Sequence, residues 1–188
     1  MTKLILVNQG QTDWDHEHRI QGLIDMPLNT GGNKQARAIA EGLSDMKIDV
    51  IYSSGLLRAY QTAEITAKLH KLKVKKLTAL NDINYGLWQG MLVSEAGKKH
   101  KKSYRLWQTS PLYSKPPKGE GIKEAYQRVS AQIEKLAFKH KDHVICVISH
   151  PAINALIQCY FLKQDLNDAW TVLPELGTWK ILEVGSGR

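Results

Sequence analysis

Cysteine is scarce: Cys146 and Cys159 are the only two, both in apolar surroundings and at no metal-ligand spacing. That excludes a disulfide-dense scaffold and a cysteine zinc site, and leaves buried free thiols as the expectation. Proline is also sparse, at six residues, and 43% of the chain is hydrophobic, so disorder is excluded. No apolar run approaches membrane-spanning length, and the first one is too short for a secretory signal, so a cytoplasmic protein without membrane contact is expected. No repeat or low-complexity tract occurs, and 188 residues suit a single domain over 1–188. Acidic residues are under-represented, with 18 Asp and Glu against 26 Lys and Arg, for a net charge of +8. The excess sits in two runs, 68–76 (KLHKLKVKK) and 98–105 (KKHKKSYR). Such a field could draw nucleic acid, anionic lipid or phosphorylated small molecules. Tyr104 and Trp107 interleave the second run too thinly for base stacking, so a solvated face is the reading taken over a nucleic-acid site. The histidines outside position 150 are scattered, and no metal or other cofactor is expected.

What is present begins with Leu4-Ile5-Leu6-Val7, an unbroken apolar run of strand length that reads as a buried parallel strand. Polarity switches at Asn8, and Gly10 permits a sharp turn or a close approach. Helical periodicity follows over 30–46, with Thr30 as N-cap, then a strand over 49–53 and a helix from 55 to about 69. Residues 74–77 suggest a short strand, 81–90 a loop, 91–104 a helix and 109–121 another loop. A helix over 122–139 leads to the run Val144-Ile145-Cys146-Val147-Ile148, and Pro151 suits the first turn of a helix reaching 162. Two closing strands are expected, at 170–173 and 178–184. Strand-then-helix units of this kind build a parallel sheet covered on both faces, whose ligand crevice lies beyond the carboxyl ends of the strands.

Four stretches carry a family resemblance. The segment LILVNQGQTDWDHEHRIQGLIDMPLNTGGNKQ, 4–35, resembles the opening of the histidine phosphatase superfamily, the phosphoglycerate-mutase-like proteins. That opening reads L-x-L-V-R-H-G-E-T-x-W-N and then R-x-Q-G-x-x-D-x-P-L. The stretch 51–63, IYSSGLLRAYQTA, resembles I-Y-S-S-x-L-x-R-A-x-Q-T-A; 80–90, LNDINYGLWQG, resembles L-x-E-x-x-x-G-x-W-E-G; and 147–154, VISHPAIN, resembles V-x-S-H-G-G-x-I-R. The resemblance implies a three-layer α/β/α sandwich with a mainly parallel sheet and one antiparallel strand. It implies that Arg58 and His150 bind a phosphoryl group and that Asp82, a methylene shorter than the family's glutamate, stands in the proton-transfer position.

The departures are concentrated. Asn8 and Gln9 occupy the places of the family's phosphate-binding Arg and nucleophilic His. Asp15 replaces an Asn, Pro151 removes a backbone N–H donor, and Glu120 is followed by Gly121 rather than Ser. Each lost charge-assisted donor is worth roughly 1.5–3 kcal/mol to a bound phosphate, and loss of a nucleophile can cost on the order of a million-fold in turnover. The expectation is therefore a catalytically impaired relative, a pseudoenzyme. It would keep Asp82 and His150 as catalytic positions and Arg58, His150, Asn8 and Gln9 as phosphate contacts. Its ligand would be a phosphorylated small molecule or a protein, and a homodimer is compatible with it. One rival is a phosphatase working without a phosphohistidine, with Asp82 or Asp15 activating water. The other is a nucleic-acid-binding module using the basic runs.

Overall fold

The computed structural model describes residues 1–184. Five strands form one sheet: β1 (Thr2–Asn8), β2 (Val50–Ser53), β3 (Val74–Lys76), β4 (Val144–Ser149) and β5 (Trp179–Val184), in the order β3-β2-β4-β1-β5. Strands β1 to β4 are mutually parallel where they pair, and β5 runs antiparallel against β1. Helices cover both faces, so the α/β sandwich read from the sequence is the architecture observed.

Strand alternation decides which helix meets which side chain. Ile5, Val7, Ile51, Cys146 and Ile148 point to one face, where they bury Ile39 and Leu43 beside α2 (Thr30–Gly42) and Ala59 and Ala63 of α3 (Leu57–His70). Leu4, Leu6, Val50, Tyr52, Ile145 and Val147 point to the other. There they meet Val129 and Ile133 of α6 (Ile122–Lys139) and Ile153 and Leu156 of α7 (Pro151–Leu162). A four-residue helix, α1 (Asp13–His16), follows β1, while α4 (Val93–Lys99) and α5 (Lys101–Thr109) lie between β3 and α6. Cys146 and Cys159 are buried free thiols in different clusters, on opposite faces of the sheet.

Three local readings change. The cap of α2 is Asn29 rather than Thr30: its Oδ1 accepts from the Gly32 N–H at 2.8 Å, and Thr30 is already helical. The helix expected over 91–104 is two helices parted at His100, where φ −121° and ψ 38° leave the helical region. Residues 170–173 are not a strand: 166–172 form a 3-10 segment with Asp165 capping the Asn167 N–H at 2.8 Å. Trp170 is drawn out of any ladder by packing, its ring 5.3 Å from that of Trp107 and its Nε1 donating to the Trp107 carbonyl at 2.6 Å. Residues 81–90 are irregular as expected but include a 3-10 turn at Gly86–Trp88. Among the described residues no helix is long and apolar enough to cross a membrane.

Candidate active site

β1 and β4 lie side by side in parallel register, with Asn8 opposite Ser149, so Gln9 and His150 emerge together at their carboxyl ends. The Gln9 N–H donates to the Ser149 carbonyl at 3.0 Å, tying the two exits. β2 delivers Ser53 and Ser54 to the same edge, and α3 starts just beyond it with Arg58 in its first turn. The loop 81–90 closes over these residues and brings Asp82.

Arg58 is wholly buried. Its terminal nitrogens donate to the Ile24 carbonyl at 2.9 Å, the Gly22 carbonyl at 2.7 Å and Asp82 Oδ2 at 3.3 Å, while Nε has no partner. Asp82 Oδ2 also lies 3.9 Å from His150 Nδ1. Burial pushes the Asp82 carboxyl up to about 6, against the opposing pull of Arg58. Burial also holds the His150 imidazole well below its ordinary range, and the positive charges of Arg58 and Arg128 add to the effect. At neutral pH His150 is therefore an uncharged ring.

Its tautomer follows from the surrounding bonds. Asn81 Oδ1 accepts from the Gly55 N–H at 2.9 Å, so the Ser54 hydroxyl facing that same oxygen at 2.9 Å must be the donor. The Ser54 oxygen then accepts from the Leu56 N–H at 3.1 Å and from His150 Nε2 at 2.9 Å. His150 is thus an Nε2–H imidazole whose Nδ1 lone pair, unpartnered and buried, looks toward Asp82.

A cavity of about 320 Å³ opens beside this cluster, walled by Gln9, Asp15, Gln21, Asp82, Arg19 and a set of aromatic and aliphatic side chains. Gln9 is buried with Oε1 unpartnered. Arg58 and His150 lie behind the wall rather than on it. Asn8 is also off the wall: its amide nitrogen donates to Thr178 Oγ1 at 3.2 Å and its oxygen accepts from Asn154 at 2.7 Å. The structure therefore brings together Gln9, Arg58, Asp82 and His150, while the Asn8 side chain turns toward β5 and α7. Asp15 does reach the cavity, but its oxygens already accept from the Thr12 N–H and hydroxyl and from Gln21 Nε2, each at 2.8 Å. His16 and His18, the neighbouring candidates, are exposed. Among the described residues no group of acidic, histidine or cysteine side chains could hold a metal.

Sequence reasoning passed over Ser54 and Asn81, which orient His150, and Tyr85 and Tyr104, which help wall the cavity. The available signals were weak: two serines closing β2, and an asparagine beside Asp82.

The chain matches the histidine phosphatase superfamily (branch 1) over residues 4–188. It is 34% identical to phosphoserine phosphatase 1 of Hydrogenobacter thermophilus over 188 residues, covering 100% of this chain and 89% of that protein. Among solved structures it resembles Bacillus stearothermophilus YhfR, with a TM-score of 0.93 at 25% identity, covering 100% of this chain and 93% of that one. It also resembles a histidine-to-alanine variant of phosphoserine phosphatase from Entamoeba histolytica in complex with phosphoserine, with a TM-score of 0.83 at 25% identity over 96% of this chain and 90% of that one. A family match over residues 4–188, a full-length relative at 34% identity and a shared fold make this chain a member of the histidine phosphatase superfamily.

Proposed function

We propose that this chain takes a phosphate monoester into the cavity beside Gln9 and Asp82, and does so without a phosphohistidine at position 9. The observation that carries the reading is Arg58, a guanidinium buried at the strand ends beside Asp82 with its Nε–H left without a partner. A buried donor of this kind is ordinarily satisfied, and an unfilled one at the strand ends fits an anion position. Arg58 Nε–H suits a phosphoryl oxygen. The phosphoserine bound to a phosphatase variant lacking one histidine supports retention of ester binding when such a side chain is replaced. An amide offers no nucleophilic lone pair, so the covalent route has no starting atom at Gln9.

Two observations favour a second reading, direct hydrolysis by water: the Asp82 carboxyl near 6 and the phosphatase activity named for the Hydrogenobacter relative. Asp82, ionised at neutral pH, would accept the proton of the attacking water. One experiment separates the readings. The protein is incubated with p-nitrophenyl phosphate, quenched in alkali and weighed intact, while release of nitrophenol is followed. Saturable binding without an adduct fits either reading, and turnover without an adduct selects the second. An adduct of one phosphoryl group mapped to His150 or His16 would overturn direct attack by water, and an adduct mapped to position 9 or no saturable interaction with the ester would overturn the first reading.

A further inference from the structure

The cavity also says which alcohol the phosphate would be attached to. Within the opening motif Asn8 for an arginine and Asp15 for an asparagine each shift the charge by one negative unit, and Gln11 for a glutamate shifts it back by one. The motif is therefore more negative than the family pattern by one unit, and of these three positions Asp15 stands on the cavity wall. Asp15 and Asp82 both stand on the wall, against Arg19 as its one cation among the described residues. Arg19 is already engaged, with Nε 3.1 Å from Glu17 Oε2 and Nη1 donating to the Gly90 carbonyl at 2.7 Å. Beside the carboxylates sits Gln21, only 7% exposed, whose Nε2 is held by Asp15 and whose Oε1 accepts from nothing. The rest of the wall is aromatic and apolar, including Tyr85, Tyr104 and Trp107.

Resting on the phosphate reading above, we propose that the ester carries a cationic ammonium on its alcohol and no carboxylate: the monophosphate of an amino alcohol. The wall supplies what an ammonium needs, namely carboxylate charge, an unpartnered amide oxygen and aromatic faces. A second anionic group meets Asp15 and the acceptor-only Gln21 oxygen, with Arg19 balanced by Glu17. The volume of about 320 Å³ is ample for such an ester. Phosphoserine, the ligand named for the Entamoeba structure, is on this reading the wrong substrate, because its carboxylate has no cation to meet.

The test compares four ligands by calorimetry on the whole protein at pH 7.5: inorganic phosphate, ethyl phosphate, O-phosphoethanolamine and O-phosphoserine. The last two differ only in a carboxylate, and the middle two only in the ammonium. Phosphoethanolamine should bind about three- to tenfold more tightly than ethyl phosphate, the scale of one ammonium over an aromatic wall, and phosphoserine should bind more weakly than both. Asp15→Asn should erase most of the phosphoethanolamine advantage and narrow the gap to phosphoserine. Since Asp15 also caps Thr12, circular dichroism accompanies it, and Tyr104→Leu gives an independent loss of the same advantage. Phosphoserine binding as well as phosphoethanolamine, or phosphoethanolamine binding no better than ethyl phosphate, would overturn the proposal while leaving the phosphate site standing. Failure of all four ligands, inorganic phosphate included, would overturn the phosphate reading beneath it.

Discussion

At the scale of single residues the site is governed by Asp82, because its carboxylate neutralises the arginine that an incoming anion needs. With the carboxyl raised to about 6, protonation below that pH removes a negative charge 3.3 Å from Arg58. Sulfate affinity should therefore rise as pH falls from 7.5 to 5. Sulfate is the proper probe because it does not titrate in this range, whereas phosphate does. Burial and the nearby arginines hold His150 well below its ordinary range, which leaves Asp82 as the group assigned to the trend. Asp82→Asn should bind sulfate more tightly at pH 7.5 and flatten the profile. A profile that stays steep in that variant would assign the titration to another group. If water attack operates, turnover should move the other way, falling below pH 6 as Asp82 loses its capacity to accept a proton. Opposite slopes for binding and turnover in one protein would be hard to produce with any other residue.

At the scale of elements, the crevice depends on how closely the end of β1 approaches the start of α2. Gly10 and Gly32 lie back to back: a Cβ on Gly10 would collide with the Gly32 carbonyl, and one on Gly32 with the Gln11 backbone. The Gly10 N–H is also fixed to Thr62 Oγ1 of α3 at 3.0 Å. Gly10→Ala should cost about 1–3 kcal/mol, as overpacking does, and it should weaken ligand binding through its neighbour Gln9. Urea unfolding and sulfate titration of the variant check the two effects, and a variant as stable as the parent would show that the two backbones separate freely. The cap Asn29 is a milder case: Asn29→Ala should lose about 1 kcal/mol, since its oxygen serves the Gly32 N–H.

This is also the scale at which the sequence can be judged as a guide. β1 and β4 were legible because both are continuously apolar and end abruptly in polar residues, and Arg58, Asp82 and His150 because local motifs surround them. Residues 170–173 misled because an apolar aromatic run satisfies a strand pattern and a packing cluster equally well. The relay from His150 through Ser54 to Asn81 was illegible for a different reason. Its three members come from three separate connections, and nothing in any one of them announces the other two. The side-chain direction of Asn8 was likewise set from afar, by Thr178 and Asn154.

At the scale of the whole molecule, the buried titratable groups make stability depend on pH in a particular shape. His150 is held well below its ordinary range when folded but takes a proton near its ordinary 6.5 when unfolded. Protons therefore favour the unfolded chain, and stability present above pH 6.5 is lost as pH falls, at up to about 1.4 kcal/mol per pH unit for a fully depressed histidine. His70 and His140, also lowered by burial, act in the same direction. Asp82 acts in the opposite sense over a different window. Its folded value of about 6 exceeds the ordinary 3.8, so between those limits the folded chain binds the extra proton and gains stability as pH falls. Urea midpoints should hence decline from pH 7.5 to 6 and then level out toward pH 4. In Asp82→Asn the decline should continue without levelling. In His150→Gln, which keeps a nitrogen donor for Ser54, the decline above pH 6 should shrink. If the midpoint rose on acidification from pH 7.5, or if neither variant changed the curve, the buried Arg58–Asp82–His150 cluster would not be the seat of the molecule's pH response.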